Sequence, residues 1–267
     1  MLGIVCAYIF FDNSRVNISS YNIYSKKINQ TFDGYKINLI SDFHNSSNYD
    51  KIIKRVSNSN PNIIVLVGDI FNMEDEKIDN VGKLIDGLNT ANNVYFVSGN
   101  NETWSKKEYM ILDILKSKNV NIINNAVIPI EYKNNKINLI GYKDIIYSDD
   151  VMRYDILEKE LEILYNKVEN KDLFNILLFH RGNLFETVAK TPFDLVLTGH
   201  THGGQINLPY IKEEILLKKF NNKKYSKGYY RLGNSQMVLS GGVEKNFNNI
   251  RLFNTPEVTE IILKRIK

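Results

Sequence analysis

Three times in this chain an apolar run of strand length breaks off at a glycine and releases a side chain able to hold a metal. Asn62-Ile63-Ile64-Val65-Leu66-Val67 delivers Gly68-Asp69, residues 93–97 run into Ser98-Gly99-Asn100, and Leu195-Val196-Leu197-Thr198 leads to Gly199-His200-Thr201-His202. Runs this short, apolar throughout and bounded by turn residues, read as strands buried on both faces. Two further runs end the same way without the glycine. Residues 35–40 lead to Ser41-Asp42-Phe43-His44, and residues 175–179 present His180.

Helical segments separate these strands. Residues 49–57, 76–88 and 104–118 have amphipathic spacing, and residues 154–168 place Leu157, Leu161, Leu164 and Val168 on one stripe. Residues 126–132 and 136–142 form a hairpin across Lys133-Asn134-Asn135, residues 120–124 a short strand, and residues 16–28 an edge strand or hairpin arm. After Gln205 the pattern turns to short strands at 206–208, 228–232, 237–239, 250–253 and 258–263. A βαβαβ first part followed by a β-rich second part predicts an α/β fold of two packed sheets with helices outside.

The chain has 4 histidines, and all of them follow apolar runs. A single histidine is ordinarily a satisfied core or surface imidazole. His44, His180, His200 and His202 in equivalent places point to a shared site instead. Asp42 and His44 lie two apart, so alternation along an extended strand end predicts that both face one ion.

Composition excludes more than it assigns. Lys plus Arg number 34 against 30 Asp plus Glu, and a net charge of +4 over 267 residues carries no nucleic-acid footprint, so no such partner is expected. The single cysteine, Cys6, excludes an intrachain disulfide framework. Residues 1–11 (MLGIVCAYIFF) are apolar and uncharged, too short for a bilayer span of roughly 20 residues and without the basic start of a signal peptide. Half of a longer anchor, an interfacial anchor and a buried first strand all remain open. The division is therefore a short apolar segment at 1–15, a candidate membrane anchor, and one domain at 16–267.

Taken in order, Asp42-x-His44, Gly68-Asp69, Gly99-Asn100, His180 and Gly199-His200-x-His202 resemble the calcineurin-like metallophosphoesterases. Each pair alone is an ordinary turn; five in order after strands are specific, and the resemblance covers nearly the whole chain. It implies a four-layer αββα sandwich of two mixed sheets flanked by helices. It also implies that Asp42, His44 and His202 hold one divalent ion, that Asn100, His180 and His200 hold the other, and that Asp69 bridges them. Such imidazole, carboxylate and amide ligands suit Mn²⁺, Fe or Zn²⁺ better than an all-oxygen Ca²⁺ cage. The implied activity is hydrolysis of phosphate esters, as a phosphodiesterase or phosphatase.

A closer resemblance is to the bacterial membrane- or wall-associated phosphodiesterases of that superfamily. It rests on Phe32-Asp33-Gly34-Tyr35-Lys36-Ile37, on Gly199 through Gln205 with Leu208-Pro209, on Tyr225-Ser226-Lys227-Gly228-Tyr229-Tyr230, and on Ile250-Arg251-Leu252-Phe253-Asn254 with Pro256-Glu257. Members often carry an N-terminal anchor or export signal. A membrane-associated or extracytoplasmic location follows; without the anchor the location would be cytoplasmic. Residues 210–227, which mix Ile215, Leu216, Leu217 and Phe220 with six lysines, are either an interfacial lid touching anionic lipid or a solvated surface excursion. Gly203 and Gly204 are expected to let backbone pass close to the metals.

The sequence departs from the family in two places. The family's Gly-Asn-His-Glu reads Gly99-Asn100-Asn101-Glu102 here, and the missing histidine is the residue usually credited with protonating the leaving group. Asn101 cannot donate a proton at neutral pH, but its amide can hydrogen-bond a phosphoryl oxygen. General acid catalysis is worth about 10²–10⁴ in rate, so a metal-holding but catalytically impaired scaffold stands as the alternative function. The second departure is His180-Arg181-Gly182, where relatives tend to have a proline two after the histidine; Arg181 is a candidate substrate contact, against the ordinary solvent-facing arginine.

Overall fold

A computed structural model describes residues 11–75, 77–88, 93–144, 154–204, 224–245 and 251–266. Their strands are β1 (Asn17–Ser25), β2 (Lys36–Ile40), β3 (Ile63–Val67), β4 (Asn93–Val97), β5 (Asn121–Ile122), β6 (Ala126–Tyr132), β7 (Asn135–Tyr142), β8 (Asn175–Arg181), β9 (Leu195–Gly199), β10 (Gly228–Leu232), β11 (Ser235–Leu239) and β12 (Glu257–Arg265). Two six-stranded mixed sheets result, in the orders β1-β12-β2-β3-β4-β5 and β10-β11-β9-β8-β7-β6. Each has a parallel centre, β2-β3-β4 in one and β7-β8-β9-β11 in the other.

The period-two pleat explains why the central strands are apolar throughout. In β3, Ile63, Val65 and Val67 face the other sheet, where they meet Ile176, Leu178, Leu195 and Leu197. Ile64 and Leu66 face outward and pack with Ile52 and Val56 of helix α1 (Tyr49–Ser59) and with Leu84, Ile85 and Leu88 of α2 (Asp79–Leu88). The second sheet does the same: Ile140, Leu177, Phe179 and Val196 lie against Leu157, Leu161 and Leu164 of the helix Tyr154–Asn166. Helix, sheet, sheet, helix is thus the layer order that the sequence predicts.

Several segments differ from expectation. The helix expected over 104–118 is Glu108–Ser117, preceded by a separate short helix Asn100–Trp104; between them Ser105 is extended (φ −75°, ψ 135°) and its hydroxyl accepts from Lys107 N–H at 3.0 Å. Residues 16–28 supply an edge strand and no hairpin: β1 pairs in parallel with β12, Asn17 opposite Glu257. The strand expected at 206–208, most of the candidate lid, Gln205 and the apolar residues 1–10 lie outside the described residues. Of the strand expected at 250–253, the described part makes only an isolated bridge at Leu252. Among the described residues no helix is long and apolar enough to cross a membrane.

Candidate metal centre

The carboxyl ends of β2, β3, β4 and β9, together with the end of β8, converge on one rim between the sheets. Left-handed backbone shapes it: Asp42, His44, Asp69, His200 and His202 have φ of 53°, 48°, 53°, 77° and 50°. Non-glycine residues adopt that region rarely, and where they do the cost is held by the surroundings and often tied to function. The alternation expected to bring Asp42 and His44 together is therefore not the cause, because β2 ends at Ile40. Left-handed turns at both residues aim them into the site instead. Their backbone is pinned to the neighbouring loop by Asp42 N–H to Gly68 O (3.2 Å) and His44 N–H to Asp69 O (3.0 Å).

His180 arrives differently, from inside β8, where the pairing register with β9 shifts between Leu178 and Arg181. Such irregularities re-aim a side chain. Its Nδ1 lies 2.9 Å from the Val67 carbonyl, which can only accept, so Nδ1 carries the proton and Nε2 faces Asp69 Oδ2 at 3.2 Å. A Cβ on Gly68 would stand 2.5 Å from that same Nδ1, and Gly68 has φ +72°. Glycine is required there for both reasons.

Donor atoms of Asp42, His44 and His202 lie within 4.8 Å of one another, as do those of Asp69, His180 and His200. Asp69 stands between the groups, since its Oδ2 is also 4.0 Å from His44 Nε2. His202 Nε2 lies 3.6 Å from Asp42 Oδ1, and its ring stacks on that of His44 with centroids 5.1 Å apart. Neither ring nitrogen of His44 nor Asn100 Oδ1 has a hydrogen-bond partner among the described residues, although all are buried. Buried polar atoms are normally satisfied, so unspent donors converging at one place fit cations well.

The electrostatics agree. Burial opposes charge on His180, but the Asp69 and Asp42 carboxylates outweigh it and push its pKa up to about 10. Burial likewise opposes charge on Asp69, and His180, His44 and His200 overcome it, holding that carboxyl well below its usual range. In the protein alone, His180 carries the positive charge that compensates these acids.

Asn101 does not stand clear of this group. Its backbone N–H donates to Asp69 Oδ1 at 2.9 Å, its Nδ2 to Asp69 Oδ2 at 2.7 Å, and its Oδ1 accepts from Met73 N–H at 3.1 Å. Arg181, expected to face solvent or substrate, is buried; its Nε bonds both oxygens of Asp144 at 3.0 and 2.9 Å, and its guanidinium lies 5.3 Å from the Trp104 ring centroid. Burial pushes the Asp144 pKa up to about 6 even against Arg181. A Cβ on Gly203 would strike Asn254 Oδ1 at 2.6 Å, so the room that glycine leaves is for Asn254, which donates to His202 O at 2.7 Å.

Sequence reasoning gave no role to three buried residues. Glu102 accepts from Asp69 N–H (2.8 Å), Ile70 N–H (2.8 Å) and Gly99 N–H (2.7 Å), so one carboxylate ties the β3 and β4 loops together. Burial, joined by the Asp69 charge, pushes its pKa up to about 8 against those donors. Its signal was available: an acid at the third position of a helix opened by Gly99 is a capping pattern. Glu244, whose Oε2 lies 3.2 Å from His202 Nδ1, and Arg251 had no such signal.

Comparison with known proteins places this geometry. The chain is similar to the uncharacterized metallophosphoesterase YkuE of Bacillus subtilis (strain 168), 24% identical over a 263-residue alignment that covers 96% of this chain and 88% of that protein. An uncharacterized metallophosphoesterase of Aquifex aeolicus (strain VF5) is 27% identical, covering 97% and 95%. A Danio rerio transmembrane protein with metallophosphoesterase domain is 24% identical over 90% of this chain, which spans 55% of that longer protein. Among solved structures, TT1561 of Thermus thermophilus shares the fold with a TM-score of 0.51 at 15% identity, over 78% of this chain and 89% of that one. The calcineurin-like phosphoesterase profile matches residues 35–204, from the strand before Asp42 to just past His202, and takes in every candidate ligand; the chain belongs to that family.

Proposed function

We propose that the protein is a dinuclear-metal-dependent hydrolase of phosphate esters. The observation that carries this reading is Asp69 standing between two groups of candidate ligand atoms, those of each group within 4.8 Å of one another. In it Asp42, His44 and His202 hold one divalent ion, Asn100, His180 and His200 the other, and Asp69 both, with Mn²⁺, Fe or Zn²⁺ the ions this donor set suits. Two such ions supply Lewis acidity, lowering the pKa of water and neutralising phosphoryl oxygens.

The chain's own residues set the rest. Once His180 is neutral, as a ligating imidazole must be, Val67 O keeps the remaining proton on Nδ1 and Nε2 offers its lone pair to the site. Asn101 steadies Asp69 through one N–H of its amide, and in this reading the second N–H of Nδ2 bonds a phosphoryl oxygen. No side chain at that position gives up a proton, so leaving groups that depart as stable anions suit this site. Arg181 is committed to Asp144 and serves as buried support for the His180 strand. A non-catalytic scaffold would have no chemical need for all seven candidate ligands. Membrane contact, if made, would come from residues 1–11 and 210–227, and sedimentation with acidic vesicles tests it.

The discriminating experiment is hydrolysis of a bis(aryl) phosphate with added Mn²⁺, beside Asp69→Asn. Turnover that requires Mn²⁺ and is lost in the variant supports the reading. Equal rates in the two proteins refute it.

A further inference from the structure

The segment carrying Gly241, Gly242, Val243 and Glu244 is laced onto the loop that bears Asp42. Val243 N–H donates to Ser41 O at 3.1 Å, Asn48 Nδ2 to Val243 O at 3.0 Å, and Lys245 N–H to Ser46 Oγ at 3.0 Å. Those bonds leave the backbone of Glu244 little freedom. Its side chain is buried, and Oε2 lies 3.2 Å from His202 Nδ1, while the other ring nitrogen, Nε2, is the one near Asp42. Glu244 lies beyond residues 35–204, which carry the family match.

A neutral imidazole has one N–H, and a carboxylate can only accept. The Glu244 carboxylate, 3.2 Å away, favours the proton on Nδ1, and Nε2 is then left bare 3.6 Å from Asp42 Oδ1, in the group shared with His44. Acceptors behind a ligating histidine fix its tautomer and ring orientation and raise its basicity. His180 has the Val67 carbonyl in that place; His202 has a charged group. The buried guanidinium of Arg251, drawn to the carboxylates of Glu244, Asp42 and Glu257, offsets the negative charge of the cluster.

We propose that Glu244 is the positioning residue of His202, holding it in the Nδ1–H tautomer with Nε2 presented to a cation. This rests on the assignment of His202 as a metal ligand, but the tautomer is measurable without metal. With only 4 histidines in the chain, ¹⁵N correlation spectra of the metal-free protein in mildly alkaline buffer are assignable through His202→Gln. Wild-type His202 is expected protonated at Nδ1 and bare at Nε2. Glu244→Ala should mix the tautomers and weaken Mn²⁺ binding by about 10–100-fold for one of two ions. Glu244→Gln, whose side-chain oxygen still accepts, should keep the tautomer and most of the affinity. A wild-type His202 protonated at Nε2, or Glu244→Ala changing neither tautomer nor Mn²⁺ affinity, overturns the proposal. Should Glu244→Ala not fold, the wild-type tautomer and Glu244→Gln decide it. If wild-type protein takes up no Mn²⁺, the dinuclear reading fails, and the tautomer still tests Glu244 by itself.

Discussion

Asn101 grips Asp69 at both carboxylate oxygens, by its backbone N–H at 2.9 Å and its side-chain amide at 2.7 Å. The second of those oxygens, Oδ2, is the one 3.2 Å from His180 Nε2. The residue that departs from the family pattern is thus built into the support of the carboxylate between the two groups. Asn101→His should exchange that support for an acid group. Turnover of an alkyl phosphate ester, which needs a proton on its leaving group, should rise more than that of an aryl ester, toward the about 10²–10⁴ typical of general acid catalysis. Equal gains on both would remove the acid from the explanation.

Glu102 is expected to matter to stability as much as to the site. Replacing it with alanine leaves the buried N–H groups of Asp69, Ile70 and Gly99 without their acceptor. Each unsatisfied buried group costs of order 1–3 kcal/mol, so urea unfolding of chelator-treated Glu102→Ala should show a loss of at least about 3 kcal/mol. Glu102→Gln should recover part of it. A loss too small to resolve in Glu102→Ala would mean the loops are held elsewhere.

The two glycines Gly68 and Gly34 separate strain from collision. Both have positive φ, 72° and 85°, but an added Cβ meets His180 Nδ1 at 2.5 Å from Gly68 and nothing within 4 Å from Gly34. Gly34→Ala should cost only the roughly 1–2 kcal/mol of a left-handed side chain and leave metal uptake intact. Gly68→Ala should cost more and lose the ion assigned to His180. Indistinguishable metal content in the two variants would contradict the placement of His180.

Metal and protons compete at His180. Its folded pKa of about 10 exceeds the ordinary 6.5, so the folded, metal-free protein binds this proton more tightly than the unfolded chain. That contribution to stability is fully present below pH 6.5 and is lost as pH rises through about 10. Thermal melts of chelator-treated protein should therefore fall across that window, and His180→Gln should flatten the fall. Because a ligating imidazole must be neutral, Mn²⁺ affinity of the wild type should climb over the same range. A melt that rises toward pH 10 would reverse the sign.

Much of the site was legible because its signals are local. A buried strand announces itself by an unbroken apolar run, Gly68 and Gly99 mark where the chain turns beside another backbone, and Gly199 marks where it passes the Ser41 and Asp42 side chains. The hairpin of β6 and β7 was readable from alternation about Lys133-Asn134-Asn135. What escaped depends on contacts distant in sequence. Glu244 meets His202 across the register of the second sheet and its following loop, and Arg181 turns inward because Asp144, 37 residues earlier, awaits it. The break at Ser105 was hidden for another reason: the chain turns there between two helices without glycine or proline, the Ser105 hydroxyl accepting from Lys107 N–H. The parallel pairing of β1 with β12 joins the two ends of the described chain, which no short-range pattern can report.

The central claim is that Asp69 stands between two cations, and anomalous diffraction from crystals grown with Mn²⁺ tests it most directly. Two peaks are predicted, roughly 3.5–4 Å apart as in other two-metal sites, one against Asp42, His44 and His202 and one against Asn100, His180 and His200, with Asp69 touching both. A single peak, or two peaks that leave Asp69 without contact to either, would contradict the account.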